Sequence, residues 1–185
     1  GLVKAAYSAY RERSVGLGAM GFHALLQSKG VPFQGLLATS TNNVAFSHIK
    51  KKALAATERL SAERGEAPDI HGSNKRNAHL APNASSSIIC GGTSPSIEPY
   101  RANSFTHKTL SGSYQVRNKY LEKVLKKKGL SLEQREKIWK DITIATGSAQ
   151  GIDVLTDEEK EVFKTANVKV ERVRLEDVEC LSCEG

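Results

Sequence analysis

The sequence predicts an α/β fold built mostly of helices, and three observations point to it. Two capping boxes mark helix starts, at Ser131-Leu-Glu-Gln134 and at Thr156-Asp-Glu-Glu159. Apolar residues recur at three-to-four spacing in several stretches, as at Leu17, Met20, Ala24 and Leu25. A short β-branched run, Ser86-Ser-Ile-Ile-Cys90, is bounded by turn signals and reads as a buried strand. The chain has 185 residues, 39% hydrophobic, which is enough for one core with a tail.

Taken in order, residues 3–13 predict a helix and Gly16 to Lys29 a second one, ended by Gly30 and Pro32. Asn42 or Asn43 is expected to cap a long helix running to Arg64. Its apolar surface comes mainly from Val44, Phe46, Ile49, Leu54 and Leu60, and Gly65 and Pro68 close it. Residues 69–84 read as irregular, and Gly91 to Asn103 as a loop around Pro95 and Pro99. The pattern leaves 104–117 unassigned. Asn118 to Lys128 predicts a helix ending at Gly129. The capping boxes open helices running through Ile142 and to about Ala166. Beyond Asn167, Val168, Val170, Val173 and Leu175 alternate imperfectly with charges, and the acidic, small-residue end is expected to be mobile.

Mean hydropathy is -0.39. No apolar run reaches membrane-span length, and the first residues lack the regions of a signal peptide, so a cytoplasmic location is expected. The net charge of +7 admits nucleic acid or small anions as ligands. Lys126, Lys127 and Lys128 end a predicted helix, where lysines complement the helix dipole. A nucleic-acid platform would need interleaved aromatics or a zinc-finger or RNP-type motif, and none is present.

Gly16-Leu-Gly18-Ala-Met-Gly21 matches a dinucleotide-binding fingerprint by letter. That fingerprint needs an apolar strand before it and an acidic residue about 20 positions later. Here Arg11-Glu-Arg-Ser14 precedes it, and no Asp or Glu occurs between Arg13 and Thr57. The glycines are expected instead to let a helix pack closely on a neighbour.

The stretch from Arg76 to Pro99 carries the most chemistry. Pro82 to Ser87 is a small-residue turn whose serine hydroxyls and backbone N–H groups suit an anion. Cys180 and Cys183 form a Cys-x-x-Cys, whose spacing alone leaves redox exchange and metal binding both open. Cys90 is expected to be buried packing.

The order of these motifs resembles the large subunit of class I ribonucleotide reductase over nearly the whole chain. Ala81-Pro-Asn-Ala-Ser-Ser-Ser-Ile-Ile-Cys-Gly-Gly-Thr-Ser94, followed by Ser96-Ile-Glu-Pro99, is similar to that family's substrate loop. Val15 to Phe22, Thr106 to Ser113, Asn118 to Glu122 and Leu155 to Ala166 match in the family's order, and Glu179 to Gly185 resembles its redox tail. The resemblance implies the C-terminal half of the family's α/β barrel over 1–166 and a flexible redox tail over 167–185. It implies that Pro82, Asn83, Ala84, Ser85 and Ser86 hold the diphosphate of a ribonucleoside diphosphate. It also implies that Cys180 and Cys183 relay reducing equivalents and are themselves reduced by thioredoxin or glutaredoxin.

The same resemblance implies that this chain binds no cofactor. The family relies on a radical-generating small subunit with a metal centre and on nucleotide effectors. It uses a thiyl-radical cysteine on a finger loop, a further redox pair and adjacent tyrosines. Here the five tyrosines are all separate, and of the three cysteines only Cys180 and Cys183 match the family, as its terminal pair and not as any of these. The chain alone is therefore expected to be inactive, as a fragment, a split-gene product or a chain with internal residues lost. A half-barrel leaves strand edges exposed, so poor solubility or disorder is expected unless a complementary large-subunit chain supplies the rest.

Overall fold

A computed structural model describes residues 1–69, 78–80, 83–110 and 112–166. Seven helices and four strands are found among them. In chain order they are α1 (Val3–Glu12), β1 (Val15–Leu17), α2 (Phe22–Ser28), α3 (Leu36–Arg64), β2 (Ala78–Leu80), α4 (Ala84–Ile89), β3 (Ser104–Thr109), β4 (Gly112–Arg117), α5 (Lys119–Lys127), α6 (Leu132–Ile144) and α7 (Asp157–Val162). None of these helices is long and apolar enough to cross a membrane.

The α/β class holds. β1 and β2 pair in parallel with Gly16 opposite His79, and β3 and β4 form an antiparallel hairpin with Phe105 opposite Val116. The described strands form two separate two-stranded sheets, neither of which closes into a barrel. Parallel pairing needs a crossover, and here the connection from β1 to β2 contains α2 and α3.

The main apolar core lies among α5, α6, α7 and the 147–155 loop. Leu121, Leu125, Trp139, Ile142, Ala149, Leu155 and Phe163 are all buried there. Full burial of a side chain such as Leu125 is worth about 2 kcal/mol. Local chemistry starts each of these helices. The Asn118 side chain accepts the Tyr120 N–H, and both expected capping boxes form at Ser131/Gln134 and Thr156/Glu159. Lys126 and Lys127 occupy the last turn of α5, where they complement the helix dipole, and Lys128 pairs with Glu159 at 2.8 Å.

Several expected elements differ. The stretch from Gly16 to Lys29 is not one helix: β1 comes first, then a turn, and α2 begins only at Phe22. Gly21, at φ 82°, makes that turn. The long helix starts at Leu36 rather than beside Asn42 or Asn43, and α7 stops at Val162 rather than near Ala166. The run Ser86–Cys90 is not a buried strand. It lies in α4, with Ile88 and Ile89 exposed and Cys90 exposed beyond it. With both isoleucines facing solvent, the run is not buried between neighbouring strands, and it continues the helix that begins after Asn83. The unassigned 104–117 region is the β3–β4 hairpin.

α3 is the least embedded element. Of its 29 residues only Ala38 and Ser61 are buried, while Leu36, Leu37 and Val44 are open to solvent. α1 is held to its far end by Arg13, whose guanidinium donates to the Arg64 carbonyl at 3.0 Å, and by an Arg11–Asp69 ion pair.

Candidate functional site

The candidate anion loop leaves the C-terminal end of β2 and enters α4. β1, its parallel neighbour, ends at Leu17 and runs into Gly18. In parallel α/β sheets ligands collect at the carboxyl ends of the strands, where loops are free to vary. Asn83 is the residue before α4, and Ser85 and Ser86 in its first turn are exposed, whereas Ser87 is buried. The first N–H groups of a helix have no partner within it. Ala84, Ser85 and Ser86 therefore offer N–H groups and two open hydroxyls at one place.

The 91–103 loop wraps this turn. The Thr93 N–H donates to the Ser87 carbonyl at 3.1 Å and the Gly92 N–H to that of Ile88 at 3.2 Å. The Asn83 N–H donates to Ser96 Oγ at 3.0 Å. Ser94, fully buried, accepts the Gly21 N–H on its carbonyl and the Ala24 N–H on its hydroxyl. His23 accepts the Tyr100 N–H on Nδ1 at 2.9 Å. Burial pushes the His23 pKa down to about 4, despite a bond to the Val162 carbonyl that acts the other way. Burial likewise pushes the Tyr100 hydroxyl up to about 12. Both groups are neutral at ordinary pH and act here as hydrogen-bonding anchors.

A groove of about 640 Å³ runs beside α4, lined by Ser87, Ile88, Pro95, Phe105 and Thr143 among others. Asn83, Ser85 and Ser86 do not line it, so the open hydroxyls lie outside it. Among the described residues no group of three or more His, Cys, Asp or Glu is placed to hold a metal ion.

Of the residues singled out in the sequence, Asn83, Ala84, Ser85 and Ser86 are consecutive at the start of α4. Pro82, Cys180 and Cys183 lie outside the described residues. The roles of Ser94 and Ser96 escape sequence reading, as does the contact of Gly18 with Asn83. The Gly-x-Gly-x-x-Gly letters were a usable signal, since both Gly18 and Gly21 make the close approaches that such glycines permit: Gly18 meets Asn83 and Gly21 meets Thr93.

Parallel strands joined through helices, with a hydroxyl- and N–H-lined turn beyond their carboxyl ends, define an α/β protein. The comparisons narrow this. The chain matches the family model described as "Ribonucleotide reductase, barrel domain" over residues 2–80 and 71–178. It is 44% identical over 167 residues to the ribonucleoside-diphosphate reductase large subunit of Invertebrate iridescent virus 3, covering 89% of this chain and 26% of that one. It is 43% identical to the putative large subunit of Frog virus 3 (isolate Goorha), covering 92% of this chain and 30% of that protein. The solved structure of the Actinobacillus ureae class Id ribonucleotide reductase alpha subunit superimposes with a TM-score of 0.72 at 39% identity, covering 86% of this chain and 29% of that chain. The chain belongs to the ribonucleotide reductase large-subunit family, within its barrel domain. It spans between a quarter and a third of the length of these relatives.

Proposed function

We propose that this chain supplies the substrate-diphosphate loop and the redox dithiol of a ribonucleoside-diphosphate reductase, which makes 2′-deoxyribonucleoside diphosphates for DNA synthesis. The observation that carries the reading is the position of Asn83–Ser86, within a family-matched segment, at the carboxyl ends of β1 and β2 with Ser85 and Ser86 open. Hydroxyl and backbone N–H donors suit phosphate oxygens, and bonds to an ionised acceptor are the stronger kind. Pro82 joins the loop, and 1–166 forms a partial barrel domain, on the family resemblance alone.

On the same resemblance, 167–185 is the redox tail. The Cys180/Cys183 dithiol passes two electrons to a disulfide formed in turnover, becomes a disulfide itself, and is reduced by thioredoxin or glutaredoxin. A small subunit with a metal centre supplies the radical, nucleotide effectors act elsewhere on the assembly, and the reaction takes place in the cytoplasm.

A second reading has an observation in its favour. The long, largely uncovered α3, with Leu36, Leu37 and Val44 exposed, suits a chain that only assembles with a complementary reductase chain and has no turnover. Co-expression with an upstream large-subunit chain, assayed with small subunit and thioredoxin, separates the two. The first reading expects deoxyribonucleotide product, abolished in multiple turnover by Cys180→Ser or Cys183→Ser. A complex without product from the wild-type chain would favour the second.

A further inference from the structure

Three segments meet at Asn83. The Gly18 backbone lies so close to the Asn83 carboxamide that a Cβ at position 18 would overlap it. On another side the Asn83 N–H donates to Ser96 Oγ. Ser96 holds φ at 46°, the left-handed region that an L side chain enters only when its surroundings require it. Those surroundings are visible. Two residues earlier, buried Ser94 fastens the loop to Gly21 and Ala24. A Cβ at Gly21 would sit 2.7 Å from Thr93 Oγ1, so the loop also needs a glycine there.

We propose that Ser96 and Gly18 are positioning residues for the substrate loop, acting through Asn83. Gly18 leaves the space that the Asn83 side chain fills, and the strained Ser96 brings an acceptor to the Asn83 N–H. Together they fix the residue from which α4 starts, and with it the direction of the Ser85 and Ser86 donors. Neither residue touches substrate in this scheme. The inference rests on the diphosphate reading of Asn83–Ser86 and adds what holds that loop in shape.

The test uses the full chain, in complex with the co-expressed upstream large-subunit chain, as wild type, Ser96→Gly and Gly18→Ala, with two readouts. Ser96→Gly removes the hydroxyl while glycine accepts the left-handed φ without strain, so it tests the bond without unfolding the loop's neighbours. Amide hydrogen exchange across 83–87 reads the order of the loop, and titration with cytidine diphosphate reads its use. Loss of one net hydrogen bond corresponds to about a fivefold change. Both variants are expected to exchange about fivefold faster at Asn83 and its neighbours, and to bind cytidine diphosphate correspondingly more weakly. Unchanged exchange in both variants overturns the positioning role, whatever binding does. Faster exchange with unchanged affinity also overturns it, because loop order would then not matter to the ligand. A wild-type chain that lacks affinity for the diphosphate even in the complex with the co-expressed upstream large-subunit chain overturns the loop reading itself, an outcome seen before any variant is made.

Discussion

The Asn118 carboxamide donates to Gln27 Oε1 at 2.9 Å, joining the start of α5 to α2 across 91 positions of sequence. The bond belongs to a buried chain of amides whose orientation one helix cap decides. Asn118 Oδ1 accepts the Tyr120 N–H, so its Nδ2 must face Gln27 Oε1 and Asn103 Oδ1. Asn103 Nδ2 then donates to the Phe163 carbonyl, and Gln27 Nε2 to that of Val162. The network ties α2, to which the 91–103 loop is fastened through Ser94 and Tyr100, to the α5–α7 core.

Replacing Asn118 tests that coupling. Asn118→Ala removes a cap worth about 1 kcal/mol and strands two buried acceptors at about 1 kcal/mol or more each, so a loss of about 3 kcal/mol is expected. Asn118→Asp keeps the cap but turns an acceptor toward two acceptors, and is expected to be no better. Urea unfolding at constant slope measures both.

His23 makes stability depend on pH. In the folded chain its pKa is about 4, against an ordinary value of 6.5. Between those values the unfolded chain binds the proton and the folded chain does not. Stability is therefore full above about pH 6.5 and falls by roughly 3 kcal/mol as pH drops toward 4. His23→Phe is expected to start less stable, having lost the acceptor for Tyr100, and to show a flatter urea-midpoint profile between pH 6.5 and 4.5. An unaltered slope in that variant would remove His23 from the explanation.

How much of this was legible in the sequence depended on the range of the interaction. The starts of α5, α6 and α7 were readable because Asn118, Ser131 and Thr156 bond to backbone two or three residues on. β1 and β2 were not, because three-residue strands exist only through pairing across the α2–α3 crossover. Ile88 and Ile89 misled because β-branched residues favour strands, yet in the structure they face solvent on α4. The candidate serines were legible by type and order. Their support at Gly18, Ser94 and Ser96 was not, since nothing local to Ser96 announces a positive φ or a bond to Asn83.

Glu122 anchors the one tryptophan. Burial alone would raise its carboxyl pKa, but the Trp139 indole N–H, donating at 2.8 Å, and the Arg135 guanidinium outweigh it and hold the pKa below the ordinary range. Glu122→Gln keeps an acceptor for the indole but leaves the mostly buried Arg135 unpaired. A loss of about 1–2 kcal/mol is expected, with Trp139 fluorescence reporting the transition.

Gly147 stands where a side chain has no room. Its φ is 85°, and a Cβ there would overlap Ala102 and lie 3.0 Å from the Ser104 carbonyl. The Gly147 carbonyl also accepts the Asn103 N–H at 2.8 Å. Gly147→Ala is expected to cost about 2 kcal/mol or more in thermal or urea unfolding.

That Ser85 and Ser86 hold a substrate diphosphate is tested most directly by calorimetric titration of the chain, in complex with the co-expressed upstream large-subunit chain, with a ribonucleoside diphosphate. Each hydroxyl-to-phosphate bond is worth about 1.5–3 kcal/mol when the acceptor is charged, so each serine-to-alanine change should weaken binding by about tenfold or more. Ser85→Ala and Ser86→Ala are each expected to lose that affinity while melting like the wild type. Wild-type affinity in both variants would contradict it.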